Sequence, residues 1–135
     1  MQKQFLTFAG FSGAIAVALG AMGAHYLKTQ LELGLIGEHS VQAFETGVRY
    51  HMYHSIALLL IAIWMKQDEN KLINKAGFCF MAGIVLFSGS LYLLSMAGLM
   101  GLGEMKWLGP ITPIGGVFFI VGWILISVVG LKKKR

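Results

Sequence analysis

Six consecutive residues, Arg49-Tyr50-His51-Met52-Tyr53-His54, hold the densest group of side chains able to do chemistry. On a helix His51 and His54 fall about 60° apart on one face, and Tyr50 lies within about 40° of His54. Imidazole can bind a proton near neutral pH or give a lone pair to a metal. Two imidazoles three residues apart could share one metal, but a good site needs a further ligand from another helix. His25, at the end of an earlier apolar run, is the third donor, so His25, His51 and His54 are the metal or haem candidates; no particular cofactor is indicated. Ser88, Tyr92 and Ser95 form a second stripe at spacings of four and three, the period of one helical face. We expect His25, Tyr50, His54, Ser88 and Tyr92 to meet as one polar cluster, beside the start of the last apolar run.

Such a cluster can lock helices together, bind a proton, ion or small ligand, or ligate metal. Enzymatic chemistry has little support. No serine or cysteine has an evident base, no carboxylate pair sits within an apolar run, and no phosphate loop is present. The single cysteine, Cys79, cannot form an internal disulfide.

The elements that must position these residues follow from composition. The chain has 135 residues, enough for one domain, with 56% hydrophobic and 13% charged residues. That charged share is about half that of an ordinary soluble domain. The mean hydropathy of +0.71 agrees. Lipid is the natural solvent for such a surface.

A membrane-crossing helix needs about 20 mostly apolar residues. Four segments qualify: Phe5–Tyr26, Ser40–Met65, Ala76–Leu99 and Thr112–Leu131. The first is too long for a signal-peptide core and is read as a retained span. The second is purely apolar only from Met52 to Met65. Helical periodicity at Val41, Phe44 and Val48 extends it back to Ser40 as N-cap, so its start lies at the interface. Thr112 before Pro113 marks the fourth start, a Thr N-cap with Pro at the first helical position. The expected fold is all-α, a polytopic membrane protein with four transmembrane helices in a compact single-domain bundle over residues 1–135.

Lysine and arginine set orientation. Lys3, Lys66, Lys71, Lys75, Lys132, Lys133, Lys134 and Arg135 fall on one side, and only Lys28, Arg49 and Lys106 on the other. Both termini are therefore expected in the cytoplasm, with the polar cluster in the outer half of the membrane. The formal charge of +5 is distributed as a topology signal rather than as a nucleic-acid surface. The lipid bilayer is the expected partner, together with copies of the chain or other membrane proteins. Helices in lipid associate by close backbone approach, so Ala16, Gly20 and Ala24, four apart, and Gly115 and Gly122, seven apart, are the expected packing positions. They serve either one bundle or a seam between copies.

Several of these residues also carry a resemblance. Gly20-Ala21-Met22-Gly23-Ala24-His25, Thr46-Gly47 with Tyr50 and His54, Leu86-Phe87-Ser88-Gly89-Ser90-Leu91-Tyr92, Thr112-Pro113-Ile114-Gly115-Gly116 and Gly122-Trp123 stand in order along nearly the whole chain. The pattern resembles domain-of-unknown-function family 423, small bacterial inner-membrane proteins related to animal transmembrane protein 256. The resemblance implies a four-helix protein of the bacterial plasma membrane and implies no activity. His25, Tyr50, His54, Ser88, Tyr92 and Pro113 match its motif positions. His51, Glu45 and Arg49 lie outside them, which moves weight from a His51–His54 metal pair to His25 and His54.

Three function classes remain: an accessory protein binding membrane proteins or lipid, a small oligomeric transporter or channel using the polar cluster, and a metal- or haem-binding protein. The first is favoured, because helix packing explains each motif.

Overall fold

The computed structural model describes residues 1–67, 70–103 and 105–131. Lys132, Lys133, Lys134 and Arg135, half of the basic residues on the expected cytoplasmic side, lie outside the described residues. Among the described residues the regular structure is helical: α1 (Gln2–Glu32), α2 (Glu38–Trp64), α3 (Lys71–Met96) and α4 (Ile111–Leu131), with a 3₁₀ turn at Lys106–Leu108 before α4. α1, α3 and the stretch Lys106–Leu131 are long and apolar enough to cross a membrane. α2 has the length, but Arg49, Tyr50, His51, Tyr53 and His54 lower its hydropathy.

The ends of the helices have local causes. α1 closes with Gly34 at φ +71°, where Gly34 N–H reaches Leu31 O at 2.9 Å and Leu35 N–H reaches Gln30 O at 2.9 Å. This is a Schellman cap, in which glycine takes the left-handed conformation that a β-carbon disfavours. Gly101, at φ +67°, repeats it after α3, with Leu102 N–H on Ala97 O at 3.1 Å. α2 begins three residues earlier than a Ser40 cap would place it. Gly37 is its N-cap and Glu38 opens its first turn, a favourable place for a negative charge. Thr112 likewise does not cap α4, which starts at Ile111; its hydroxyl is drawn to Ser90 instead. Asn70 does cap α3, its side chain accepting from Leu72 N–H at 2.9 Å. Asn70→Ala should therefore cost about 1 kcal/mol, read as a lowered unfolding midpoint with unchanged helix content.

α1 and α3 each contain one π-turn, at Gly23–Leu27 and Ile84–Ser88, where an extra residue enters the helical repeat. α1 packs along α2, α2 against α3, and α3 along α4. Phenylalanines fill the notches that glycines leave: Phe5 over Gly77, Phe80 over Gly122 and Phe119 over Gly83. Gly115 brings α4 against the backbone of Phe87. One apolar cluster, around Phe5, Leu58, Ile61, Ile73 and Phe80, fills the end near the termini. Another, around Leu27, Val41 and Phe44, fills the opposite end. The buried polar residues on α2, His51, His54 and Ser55, lie between the two clusters.

Of the expected packing residues, Ala16 is buried, a β-carbon added at Gly20 would meet Val48 at 3.4 Å, and Gly115 and Gly122 seat against Phe87 and Phe80. Ala24 is exposed.

Candidate functional site

Two hydrogen-bonded groups make up the polar layer, and α2 supplies the centre of each. α2 has no π-turn, so its 100° per residue holds and His51 and His54 diverge by about 60°. That divergence is enough to send them to different neighbours.

His51 is the centre of the first group. Its Nδ1 lies 2.9 Å from the Tyr92 hydroxyl on α3, and its Nε2 lies 2.9 Å from Ser12 Oγ on α1. Ser12 Oγ is also 2.7 Å from Ser55 Oγ, and Ser55 donates to the His51 carbonyl at 2.8 Å. Counting hydrogens fixes the directions. Ser55 gives its only hydrogen to the carbonyl, so Ser12 must donate to Ser55. Ser12 can then only accept from His51, which puts the proton on Nε2. In the neutral ring Nδ1 is an acceptor, and Tyr92 donates to it. The chain runs Tyr92, His51, Ser12, Ser55 and back to the His51 carbonyl, joining three helices.

His54 is the centre of the second group. Its Nδ1 donates to Tyr50 O at 2.7 Å, and its Nε2 accepts from Trp123 Nε1–H at 3.1 Å. Both bonds require the opposite tautomer, with the proton on Nδ1. The ring stacks on Phe119 of α4 with centroids 3.5 Å apart and planes at 10°, and Tyr50 stacks beside it at 6.0 Å.

Two further bonds tie α3 to its neighbours. Ser88 donates to Gly47 O at 2.8 Å, and Ser90 Oγ pairs with Thr112 Oγ1 at 2.6 Å. The second is the sole job of Thr112's hydroxyl among the bonds described, so Ser90→Ala should destabilise α4's start by about 1 kcal/mol or less. A double-mutant cycle with Thr112→Val would measure it.

The structure thus brings together Tyr50 with His54, and places Tyr92 on His51 rather than on His54. Ser88 lies in the same layer, bonded to the α2 backbone. His25 is apart from all of them: its side chain is exposed, and its carbonyl accepts from Thr29 at 3.0 Å. The sequence pattern undervalued His51 and passed over Ser12, Ser55 and the indole of Trp123. Ser55 had a legible signal, four residues after His51. Among the described residues no three His, Cys, Asp or Glu side chains are grouped as a metal site. Neither buried histidine has a nitrogen outside these bonds.

A family model described as "Protein of unknown function (DUF423)" matches residues 19–116, the stretch that holds both histidine groups except Ser12, Phe119 and Trp123. The chain belongs to the DUF423 family. It is 42% identical to the UPF0382 membrane protein YwdK of Bacillus subtilis, over 96% of this chain and 98% of that one. A UPF0382 membrane protein of Staphylococcus aureus is 39% identical over 96% of this chain and 97% of its own. A third, of Haemophilus influenzae, is 37% identical over 99% and 98%. No solved structure matches. As a DUF423 member with apolar helices of spanning length, the chain is a membrane protein of a family of unknown function.

Proposed function

We propose that this DUF423 protein crosses the bacterial cytoplasmic membrane four times, with both termini in the cytoplasm, and works as an accessory protein that binds other membrane components. Lipid, further copies of the chain or other membrane proteins are the partners, not nucleic acid, and no catalysis is assigned to it. The observation that carries this reading is the closure of the polar layer. Among the described residues the seven buried polar ones, Ser12, His51, His54, Ser55, Ser88, Ser90 and Ser95, all have hydrogen-bond partners within the chain. No nucleophile or vacant ligand position is left there, and recognition falls to the outer surfaces. A metal or haem reading would require breaking one of the bonds that define each tautomer.

α2 serves as the fourth span because His51, His54 and Ser55 turn towards neighbouring helices, as a polar residue within a membrane does, although Arg49, Tyr50 and Tyr53 stay exposed. Topology is testable in a Cys79→Ala background. Leu35→Cys should react with a membrane-impermeant maleimide in intact cells, and Gln67→Cys only after permeabilisation. Labelling of both in intact cells would contradict the four-span arrangement. For function, native mass spectrometry from mild detergent should show retained lipid or a partner in fixed ratio. A bare single copy under every mild condition would contradict the accessory reading.

A second reading, an oligomeric transporter, draws on one observation: the Tyr92–His51–Ser12–Ser55 chain spans three helices as a proton path would. It predicts proton uptake into vesicles that His51→Phe removes.

A further inference from the structure

α1 and α2 meet along a seam that stays open on one side as two hollows of about 250 and 380 Å³. Gly10, Gly13, Val17 and Gly20 line it from α1, and Glu45, Arg49, Met52 and Ile56 line it from α2. Both sets alternate spacings of three and four, the period of a face that meets another helix lengthwise. Within the bundle, phenylalanine rings fill the notches at Gly77, Gly83 and Gly122. A β-carbon added at Gly10 or Gly13 would instead meet nothing within 4 Å. Glycine is disfavoured against alanine inside a helix, and among the described residues nothing packs closely enough to require it at these two positions.

The seam also holds charge. Glu45 and Arg49 are the only Asp, Glu, Lys or Arg in residues 4–27, 39–65, 76–96 and 111–131. Both stand beside Gly20, within the uncharged run of α1. Glu45 is half-buried and Arg49 exposed, and neither side chain has an ion-pair or hydrogen-bond partner among the described residues. A charge left unpaired towards lipid is costly.

We propose that a second copy of this chain docks on the α1–α2 face, about a two-fold axis along the membrane normal, with Glu45 of each copy paired to Arg49 of the other. The inference rests on the accessory reading above and names the partner of this face.

The charges identify the occupant. In a two-fold interface residue i of one copy meets residue j of the other, and j meets i, so a face matches itself in charge only when it carries both signs. The α1–α2 face carries one acid and one base, four residues or about 6 Å apart along α2, within reach of two long side chains. A second copy therefore satisfies all four charges in two reciprocal pairs. An anionic lipid head would pair with Arg49 and be repelled by Glu45. Gly10 and Gly13 supply the other half of the fit, because bare backbone lets helices approach closely in lipid.

The test uses the full chain as two fluorophore-labelled populations in vesicles of phosphatidylethanolamine and phosphatidylglycerol, and reads energy transfer between copies as lipid dilutes them. Glu45→Arg alone and Arg49→Glu alone should each weaken self-association at least about tenfold, since each sets like charges opposite one another. Mixing the two variants should restore transfer, because every Arg then faces a Glu across the interface. Gly10→Leu, which has room in the single chain, should lower transfer with an unchanged or raised thermal midpoint, and Gly13→Leu serves if that variant fails to fold. Wild-type copies with no transfer beyond chance would overturn the proposal. So would charge variants that associate as tightly as wild type, or mixed variants that stay apart, the result of a pair closed within one copy. Undiminished association of a folded glycine variant would overturn it as well. If it is overturned while native mass spectrometry still retains lipid or another protein in fixed ratio, the accessory reading stands and this interface alone falls.

Discussion

Gly115→Ala should destabilise the bundle by about 3 kcal/mol or more, at or above the usual range for overpacking a core. A β-carbon there would sit 2.7 Å from Phe87 Cα and 2.8 Å from Phe87 Cβ, and closer still to Phe87 N. These are main-chain atoms, or fixed directly to them, so no rotamer change relieves the clash and α4 must move away from α3. The displacement would also strain the Ser90–Thr112 bond and the stack of His54 on Phe119, which both join α4 to the rest. The adjacent glycine is the internal control. At Gly116 a β-carbon meets only the Phe87 ring, at 3.7 Å, an ordinary contact. Gly116→Ala should be neutral or stabilising, since alanine is favoured over glycine inside a helix by about 1 kcal/mol. Unfolding of both variants in mixed micelles measures the difference. Equal effects would mean that α3 and α4 do not approach as described.

His54→Ala is expected to cost about 2–5 kcal/mol, and packing rather than hydrogen bonding accounts for most of it. The side chain is buried, stacked on Phe119 at 3.5 Å and edge-on to Phe80 at 5.2 Å. Alanine would leave a cavity among four aromatic rings. By contrast, hydrogen bonds between membrane helices average only about 0.6 kcal/mol in double-mutant cycles. His54→Phe, which keeps a ring, should therefore recover most of the loss, and Trp123→Phe should cost about 1 kcal/mol or less. If His54→Phe were as damaging as His54→Ala, the polar bonds would outweigh the stacking.

The helices could be read from apolar run lengths: four are present as expected, and three of them are long and apolar enough to span a membrane. Boundaries were less legible, because caps depend on tertiary partners: Thr112 has the type and position of an N-cap, yet Ser90 takes its hydroxyl. Tyr50 and His54 were placed together correctly, since they share a regular helix. The larger cluster failed at the other helices. Its expected geometry assumed 100° per residue throughout, whereas α1 carries a π-turn around His25 and α3 one ending at Ser88. Each rotates the following residues relative to a straight helix. His25 consequently points outward, and Tyr92 meets His51, three residues from the expected partner. Ser12 gave no sign in the sequence, because a single serine in an apolar run more often bonds its own helix.

His51 and His54 are helix clasps with every ring nitrogen engaged, in opposite tautomers. The most direct measurement is nitrogen NMR of the histidine side chains, with ¹⁵N-labelled protein in lipid and assignment by His51→Phe and His54→Phe. Two neutral rings are expected, His51 protonated on Nε2 and His54 on Nδ1, each with its other nitrogen shifted by an accepted hydrogen bond. The same tautomer at both positions, or a ring nitrogen with no hydrogen bond, would contradict this arrangement.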